Sequence, residues 1–227
     1  MKISVALAAY KGEKYIAQQL RSILPQIGDD SEIIVSDDCP NEEMKSIVDS
    51  FSDSRIKYVE GPGRGVIKNF EYAISLCEGD HIFLCDQDDV WREDKVKKCL
   101  SELQNGCLLV LHDAAIVDAE LKDTGKTVFE SLNSSDGALK NILVNSFVGC
   151  CMAFKKELKE HILPFPDKLP MHDQYIGLTA KKYGKVELIN EPLIFYRRHG
   201  GTVTGGKTSL SDKIKWRIQI IKAYLKA

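Results

Sequence analysis

His81-Ile82-Phe83-Leu84-Cys85-Asp86-Gln87-Asp88-Asp89-Val90-Trp91 is the stretch that decides the fold. It opens with five residues of strand length, mostly apolar, and three carboxylates then fall within four positions. A short run rich in Ile, Phe and Leu is what a strand buried on both faces requires. Carboxylates set this close repel one another unless a cation joins them. Acids at the carboxyl end of a buried strand lie where open α/β sheets take their ligands, and hard oxygen donors suit Mg²⁺ or Mn²⁺. An EF-hand loop is excluded, because Trp91 stands at the sixth position, which that loop reserves for glycine. The competing reading is a solvated acidic turn at the start of a helix from Arg92 to Leu103.

Upstream, Ile3 to Ala8, Glu32 to Ser36 and Arg55 to Val59 are further apolar runs of strand length. Helical periods fill the gaps at Tyr15 to Leu24, Glu42 to Phe51 and Val66 to Leu76, with Asn41 or Pro40 as the start signal of the second. The alternation predicts an α/β fold with a mostly parallel central sheet. Asp37-Asp38 ends the second strand, so two strands deliver acids to one sheet edge; alone, the pair reads as turn and cap chemistry. Ala8-Ala9-Tyr10 closes the first strand, with small residues and one aromatic able to receive a flat base.

Downstream, a strand is expected at Leu108 to Leu111, a polar loop over Asp118 to Asp136, and close backbone or ligand approach at Gly149-Cys150-Cys151. A helix over Asp173 to Tyr183 and a strand over Lys185 to Ile189 follow. The expected organisation is one domain over 1–209, divided into 1–90 for nucleotide and 91–209 for acceptor, then a basic amphipathic helix at 210–227. On that helix Ile214, Ile218, Ile221 and Leu225 form one stripe, with Lys213, Lys215, Arg217, Lys222 and Lys226 elsewhere. Packing on the domain or a second subunit explains such a stripe, as does peripheral membrane contact.

Composition narrows the function classes. With 31 basic and 33 acidic residues the net charge is −2, so no overall field favours nucleic acid. Seven cysteines without a C-x-x-C pair read as reduced, and no apolar run spans a bilayer. A cytoplasmic protein is expected, with the inner face of the cell membrane as its furthest reach.

In order and spacing these segments resemble the large inverting family 2 of the glycosyltransferases, which has the nucleotide-sugar-binding GT-A fold. Ile3 to Gly12 is similar to that family's opening strand and T-Y-N turn, with Ala8 and Lys11-Gly12 departing from it. Val35 to Cys39 resembles its V-D-D-G-S segment, Gly65 to Asn69 the helix after its third strand, and Asp86-Gln87-Asp88 its D-x-D motif. Asp86 to Trp91 is similar to rhamnosyltransferase-like members, and Met171-His172-Asp173-Gln174 to the E-D segment, with His172 replacing glutamate.

The resemblance implies a role for each matching residue. Ala8, Tyr10 and Asp38 would hold the base, Lys68 the diphosphate or base, Asp86 the ribose or metal, with Gln87 beside it, and Asp88 the metal. Asp173 would be the general base; its alternative is a helix cap. Tyr196 to Gly201 resembles the closing segment near the family's carboxyl terminus, where His199 would ligate metal and Arg197 and Arg198 clamp phosphates. Glycines 200, 201, 205 and 206 would let that segment order over donor as a lid. Trp91, Gly149 and His172 are the acceptor candidates.

The implied activity is sugar transfer from a UDP- or dTDP-sugar, with Mg²⁺ or Mn²⁺, to a glycan or lipid-linked acceptor in surface polysaccharide or lipopolysaccharide assembly. The rival is a catalytically inactive module of the same fold that binds metal or nucleotide. A nicotinamide oxidoreductase wants G-x-G-x-x-G where Ala8 to Gly12 stands, and a pyrophosphorylase wants a glycine- and lysine-rich loop there. An aspartyl phosphatase wants D-x-D after the first strand, whereas here it follows the fourth.

Overall fold

The computed structural model describes residues 1–198 and 209–227. The first half alternates as its periods predict: β1 (Ile3–Ala9), α1 (Glu13–Ile23), β2 (Glu32–Asp37), α2 (Glu42–Asp49), β3 (Ile56–Glu60), α3 (Val66–Leu76) and β4 (His81–Asp86). Asn41 caps α2 by accepting from the Met44 amide at 2.9 Å. β5 (Val90–Trp91), α4 (Lys95–Gln104), β6 (Leu109–Val117), β7 (Asp123–Thr127), α5 (Val128–Leu132) and α6 (Ala138–Leu143) follow. A 3₁₀ turn at Gly149–Cys151 leads into β8 (Met152–Lys155), α7 (Glu157–Ile162), α8 (His172–Tyr183), β9 (Val186–Arg197) and α9 (Leu210–Lys226).

One sheet runs in the order β3-β2-β1-β4-β8-β6-β9-β5, with β7 on β6. β3, β2, β1 and β4 are mutually parallel, as is the β6/β9 pair, while β8, β5 and β7 run antiparallel to their neighbours. β1, β2 and the first five residues of β4 are fully buried, as strands covered on both faces must be. The register sets Ala8 opposite both Ser36 and Asp86, which brings the ends of β2 and β4 to the end of β1.

Several downstream expectations are corrected. The Asp118 to Asp136 stretch is no bare loop: it holds β7 and α5, which starts at a capping box where Thr127 and Glu130 satisfy each other's backbone amides. β6 extends to Val117 and β9 to Arg197, beyond the apolar runs that marked them, because each is paired on both flanks. The helix expected from Arg92 begins at Lys95, since Val90 and Trp91 are drawn into the sheet against β9.

The stripe on α9 is also corrected. The helix packs on α8 and α6 through Ile220 and Ala223, both buried, while Ile214, Ile218, Ile221 and Leu225 face away. Among the described residues no helix is long and apolar enough to cross a membrane.

Candidate active site

Three loops meet at the carboxyl ends of β1, β2 and β4. The Asn69 amide on α3 donates to the carbonyls of Ala9 and Ser36, and its oxygen accepts from the Ser36 hydroxyl, so one buried side chain ties β1, β2 and α3 together. Gln87 forms a second tie: the Tyr10 amide donates to its Oε1 at 2.8 Å, and its Nε2 donates to the Tyr10 carbonyl at 2.9 Å. Gly12 is glycine for this reason, because a Cβ there would lie 1.9 Å from Gln87 Oε1. Gln87, expected at the donor, is instead a strut between loops, and it leaves the Tyr10 ring exposed.

The acidic pair divides its labour. Asp37 is fully buried and accepts from the Tyr58 hydroxyl and the Cys39 amide, which is the turn role its position suggested. Asp38 accepts from the amides of Gly63 and Gly65, each at 2.7 Å, and so shapes the loop before α3. Both glycines have φ in the left-handed region, at 65° and 85°. Each Asp38 oxygen retains a lone pair, so the carboxylate can also accept from a ligand. Lys68 is ion-paired with Glu71 at 2.5 Å on α3.

The acid cluster is where charge is least comfortable. One ligand atom each of Asp86, Asp89 and Cys150 lies within 4.8 Å of the others. Burial, then the neighbouring Asp88 charge, pushes Asp86 up to about 7, and Asp173 adds to the push. Asp89 is driven well above the usual carboxylate range by burial and by Asp86 and Asp88, although the Arg197 amide donates to its Oδ1. Its Oδ2 is buried without a hydrogen-bond partner. The Cys150 thiol beside them is held well above its ordinary value by the neighbouring Cys151 and by burial, so it is neutral.

An orphaned carboxylate oxygen beside a second acid, both disfavoured as anions, fits a hard divalent cation. Asp88, the expected ligand, lies outside that compact group, but its charge bears on both carboxyls within it. The sequence reading counts Asp89 in the acidic cluster and Cys150 in a close-approach stretch without giving either a site role, and it misses the Lys95 beneath them. Lys95 is fully buried, donates to the Cys150 carbonyl at 2.9 Å and stands 4.0 Å over the Trp91 ring. A signal existed: Lys95 shares one helical face with Val96, Cys99 and Leu103, an apolar stripe in which a lysine is out of place.

At the start of α8, burial raises Asp173 to about 6, against hydrogen bonds from the Gln174 amide at 2.6 Å and the Asn145 side chain at 3.1 Å. A carboxylate tuned to that value suits a general base near neutral pH. Asp173 is no cap for its own helix, since Met171 holds that position and no side chain caps it.

His172 is stacked on Phe70 at 4.3 Å, and burial lowers it to about 3, so it is neutral; neither ring nitrogen has a partner. Gly149 is pressed against it, a Cβ there lying 2.9 Å from Nε2. These two acceptor candidates therefore adjoin each other. Trp91 does not join them: it is buried against Phe83 and Lys95 in the core.

Arg197 is corrected as well. Its guanidinium is buried and donates to the carbonyls of Asp88 and Ala119 and to Gln18 Oε1, so its donors serve the protein and not a phosphate. Arg198 is exposed, 5.0 Å over the Tyr196 ring. His199 and glycines 200, 201, 205 and 206 lie outside the described residues.

A family model described as glycosyl transferase family 2 matches residues 4–163. The dTDP-rhamnosyl transferase RfbG of Shigella flexneri is 26% identical over 232 residues, covering 92% of this chain and 77% of that protein. The chain is shorter than the curated relatives it matches, spanning 66% of the length of another. Staphylococcus aureus TarS, solved with UDP-GlcNAc, superposes with a TM-score of 0.78 at 20% identity, over all of this chain and 67% of that one. The mannosyltransferase PcManGT of Pyrobaculum calidifontis, solved with GDP-Man and Mn²⁺, gives 0.65 at 17% identity, over all of this chain and 64% of that one. These likenesses show the GT-A fold. With the family pattern matched over most of its length, the chain belongs to glycosyl transferase family 2.

Proposed function

We propose that this chain moves a sugar, hexosyl or rhamnosyl, from a UDP- or dTDP-linked donor to a hydroxyl of a glycan or lipid-linked acceptor, with inversion, in surface polysaccharide assembly. The observation that carries the reading is the convergence of Asp86 at the end of β4, Asp89 in the loop after it and Asp173 on α8, three buried or half-buried acids of which Asp86 feels both Asp88 and Asp173 and Asp89 feels Asp86. A charged ligand would give such a group a reason to stay together. RfbG by its name uses a dTDP-sugar and TarS was solved with a UDP-sugar, which supports those donor classes.

Tyr10, Ala8 and Asp38 would receive the base at the ends of β1 and β2. Asp86 and Asp89, with Asp88 beside them, would hold Mg²⁺ or Mn²⁺, which when bound supplies Lewis-acid neutralisation of the leaving diphosphate. Asp173 takes the acceptor hydroxyl's proton as that oxygen forms its bond to the anomeric carbon and the bond to the diphosphate breaks on the opposite face. His172, neutral and stacked on Phe70, would form the wall of the acceptor side next to Asp173. Residues 1–90 would then serve the nucleotide and 91–209 the acceptor. Seven unpaired cysteines suit a reducing, cytoplasmic setting.

Thermal unfolding across UDP-, dTDP- and GDP-sugars, each with Mn²⁺ and with chelator, tests the reading. Ligand at a hundred times its dissociation constant adds about 2.7 kcal/mol. Stabilisation by one nucleotide class that needs metal, with slow metal-dependent donor hydrolysis lost in Asp173→Asn, is the expected result. Stabilisation without any hydrolysis would favour the inactive binding module, and no stabilisation by any donor would remove the reading altogether.

A further inference from the structure

α9 has two faces of different character. At 100° per residue, Ile214, Ile218, Ile221 and Leu225 fall within an arc of about 60°, roughly opposite the Ile220 and Ala223 side that docks on the domain. Docking is well made: the Lys182 ammonium donates to the Tyr224 carbonyl at 3.4 Å, the Tyr183 hydroxyl to that of Ala227, and the Arg217 guanidinium to that of Leu143 at 2.9 Å. The helix is thus held firmly with its apolar arc outward, and the four arc residues are 50%, 48%, 39% and 72% exposed.

The arc does not stand alone. Leu139 and Leu143 of α6 and the adjoining Val144, reached through the Arg217 contact, are exposed at 81%, 59% and 58%. Lysines and arginine border the arc on both sides: Lys215, Lys222 and Lys226 along one edge, Lys213 and Arg217 along the other. The single acid of the helix, Asp212, is used in its first turn, where it accepts from the Ser209 hydroxyl. An outward apolar strip with the exposed ammonium groups of Lys215, Lys222 and Lys226 on one side and of Lys213 on the other matches the boundary of a bilayer carrying anionic headgroups, where acyl chains meet phosphates.

We propose that the outward face of α9, continued by Leu139, Leu143 and Val144, is a docking surface for an anionic lipid bilayer. The helix would lie in the interfacial plane, its apolar arc among the upper acyl carbons and its lysines at the phosphates. The surface goes beyond the transferase reading, and the two stand or fall separately. A second copy of this chain would meet the same lysines across the contact and suffer repulsion, whereas an anionic surface is complementary to them.

Cosedimentation of the full chain with vesicles tests the assignment. Wild type should bind vesicles of phosphatidylglycerol mixed with phosphatidylcholine, and bind pure phosphatidylcholine far more weakly. Ile218→Glu combined with Ile221→Glu should weaken binding roughly a hundredfold, since both the apolar burial and the charge match are lost. Replacing Lys215, Lys222 and Lys226 by Gln should weaken it roughly fivefold for each lysine removed. Both variants change exposed residues, so their unfolding temperatures and donor stabilisation should match wild type. The assignment is overturned if wild type ignores anionic vesicles, or if the Ile variant binds them as well as wild type. It is equally overturned if wild type is a dimer in lipid-free buffer that the Ile variant dissociates.

Discussion

Replacing the proposed base of this buried acid site should make the protein both inactive and more stable, and Asp173→Asn is the clean case. Burial raises Asp173 from 3.8 to about 6 in the folded state. Below pH 3.8 folded and unfolded chains both carry the proton and the carboxyl costs nothing. Between 3.8 and 6 only the unfolded chain releases it, so folded stability falls as pH rises, and above 6 the loss is complete. About two units at 1.36 kcal/mol each give a loss of about 3 kcal/mol at pH 8. Asparagine keeps an oxygen for the Gln174 amide and the Asn145 side chain and never ionises.

The variant should therefore match wild type near pH 4 and exceed it by about 3 kcal/mol at pH 8 in chelator. For a chain of this size that is a rise of several degrees in unfolding temperature, at about 2–4 °C per kcal/mol. His112 and His172, both lowered by burial, weaken the protein in the opposite direction as pH falls, but they are present in both proteins and cancel in the difference. Thermal unfolding of the two proteins from pH 4 to 8 with chelator is the assay, beside turnover, which should drop at least about a hundredfold. A gap that does not widen with pH, or a less stable variant at pH 8, would refute the buried-base reasoning.

Asp89→Asn should leave the metal-free protein at least as stable as wild type at pH 8, and should lose most of the thermal shift that Mn²⁺ gives wild type; an undiminished shift would place the cation elsewhere. Lys95→Met strands the Cys150 carbonyl in the interior, and urea unfolding should show a loss of about 1–3 kcal/mol. An unmoved midpoint would mean that this carbonyl has another partner. Asn69→Leu removes the shared partner of Ala9, Ser36 and α3, and should cost more than about 2 kcal/mol with donor stabilisation falling in parallel. Unaltered unfolding would show that the loops hold without the tie.

The parallel half was legible because its strands are continuous apolar runs with both faces covered, and α3 begins and ends where its period predicts. The same reasoning stopped short at β6 and β9, where the polar His112-Asp113 and Asn190-Glu191 mark a break in the β6/β9 register, and the strands resume beyond it with Ala115 to Val117 against Phe195 to Arg197. Asp38, Asp86 and Asp173 stood out as acids beside strand ends or a helix start. Arg197 and Gln87 misled because side-chain type names a chemistry and not an address. A guanidinium suits phosphate, yet it suits three protein acceptors equally well, and only the fold shows which are within reach.

That address bears on how the site is kept in register. The Asp88 carbonyl accepts from Arg197 Nε at 2.7 Å, and Asp89 Oδ1 from the Arg197 amide at 3.0 Å, so the acid loop after β4 and the end of β9 are held by one residue. Gln87, between those acids, holds the loop after β1 through Tyr10. Residues 87 to 89 therefore reach outward in turn to the base-side loop and to the last strand, while Lys95 supports the Cys150 backbone below them. Asp86, Asp89 and Asp173, whose burial disfavours their charged forms, would spread apart in a loosely packed edge. Here the hydrogen bonds that oppose the spreading are made by the backbone and side chains of the acidic stretch itself, so the residues proposed to hold a cation are among those that keep the surrounding loops in place.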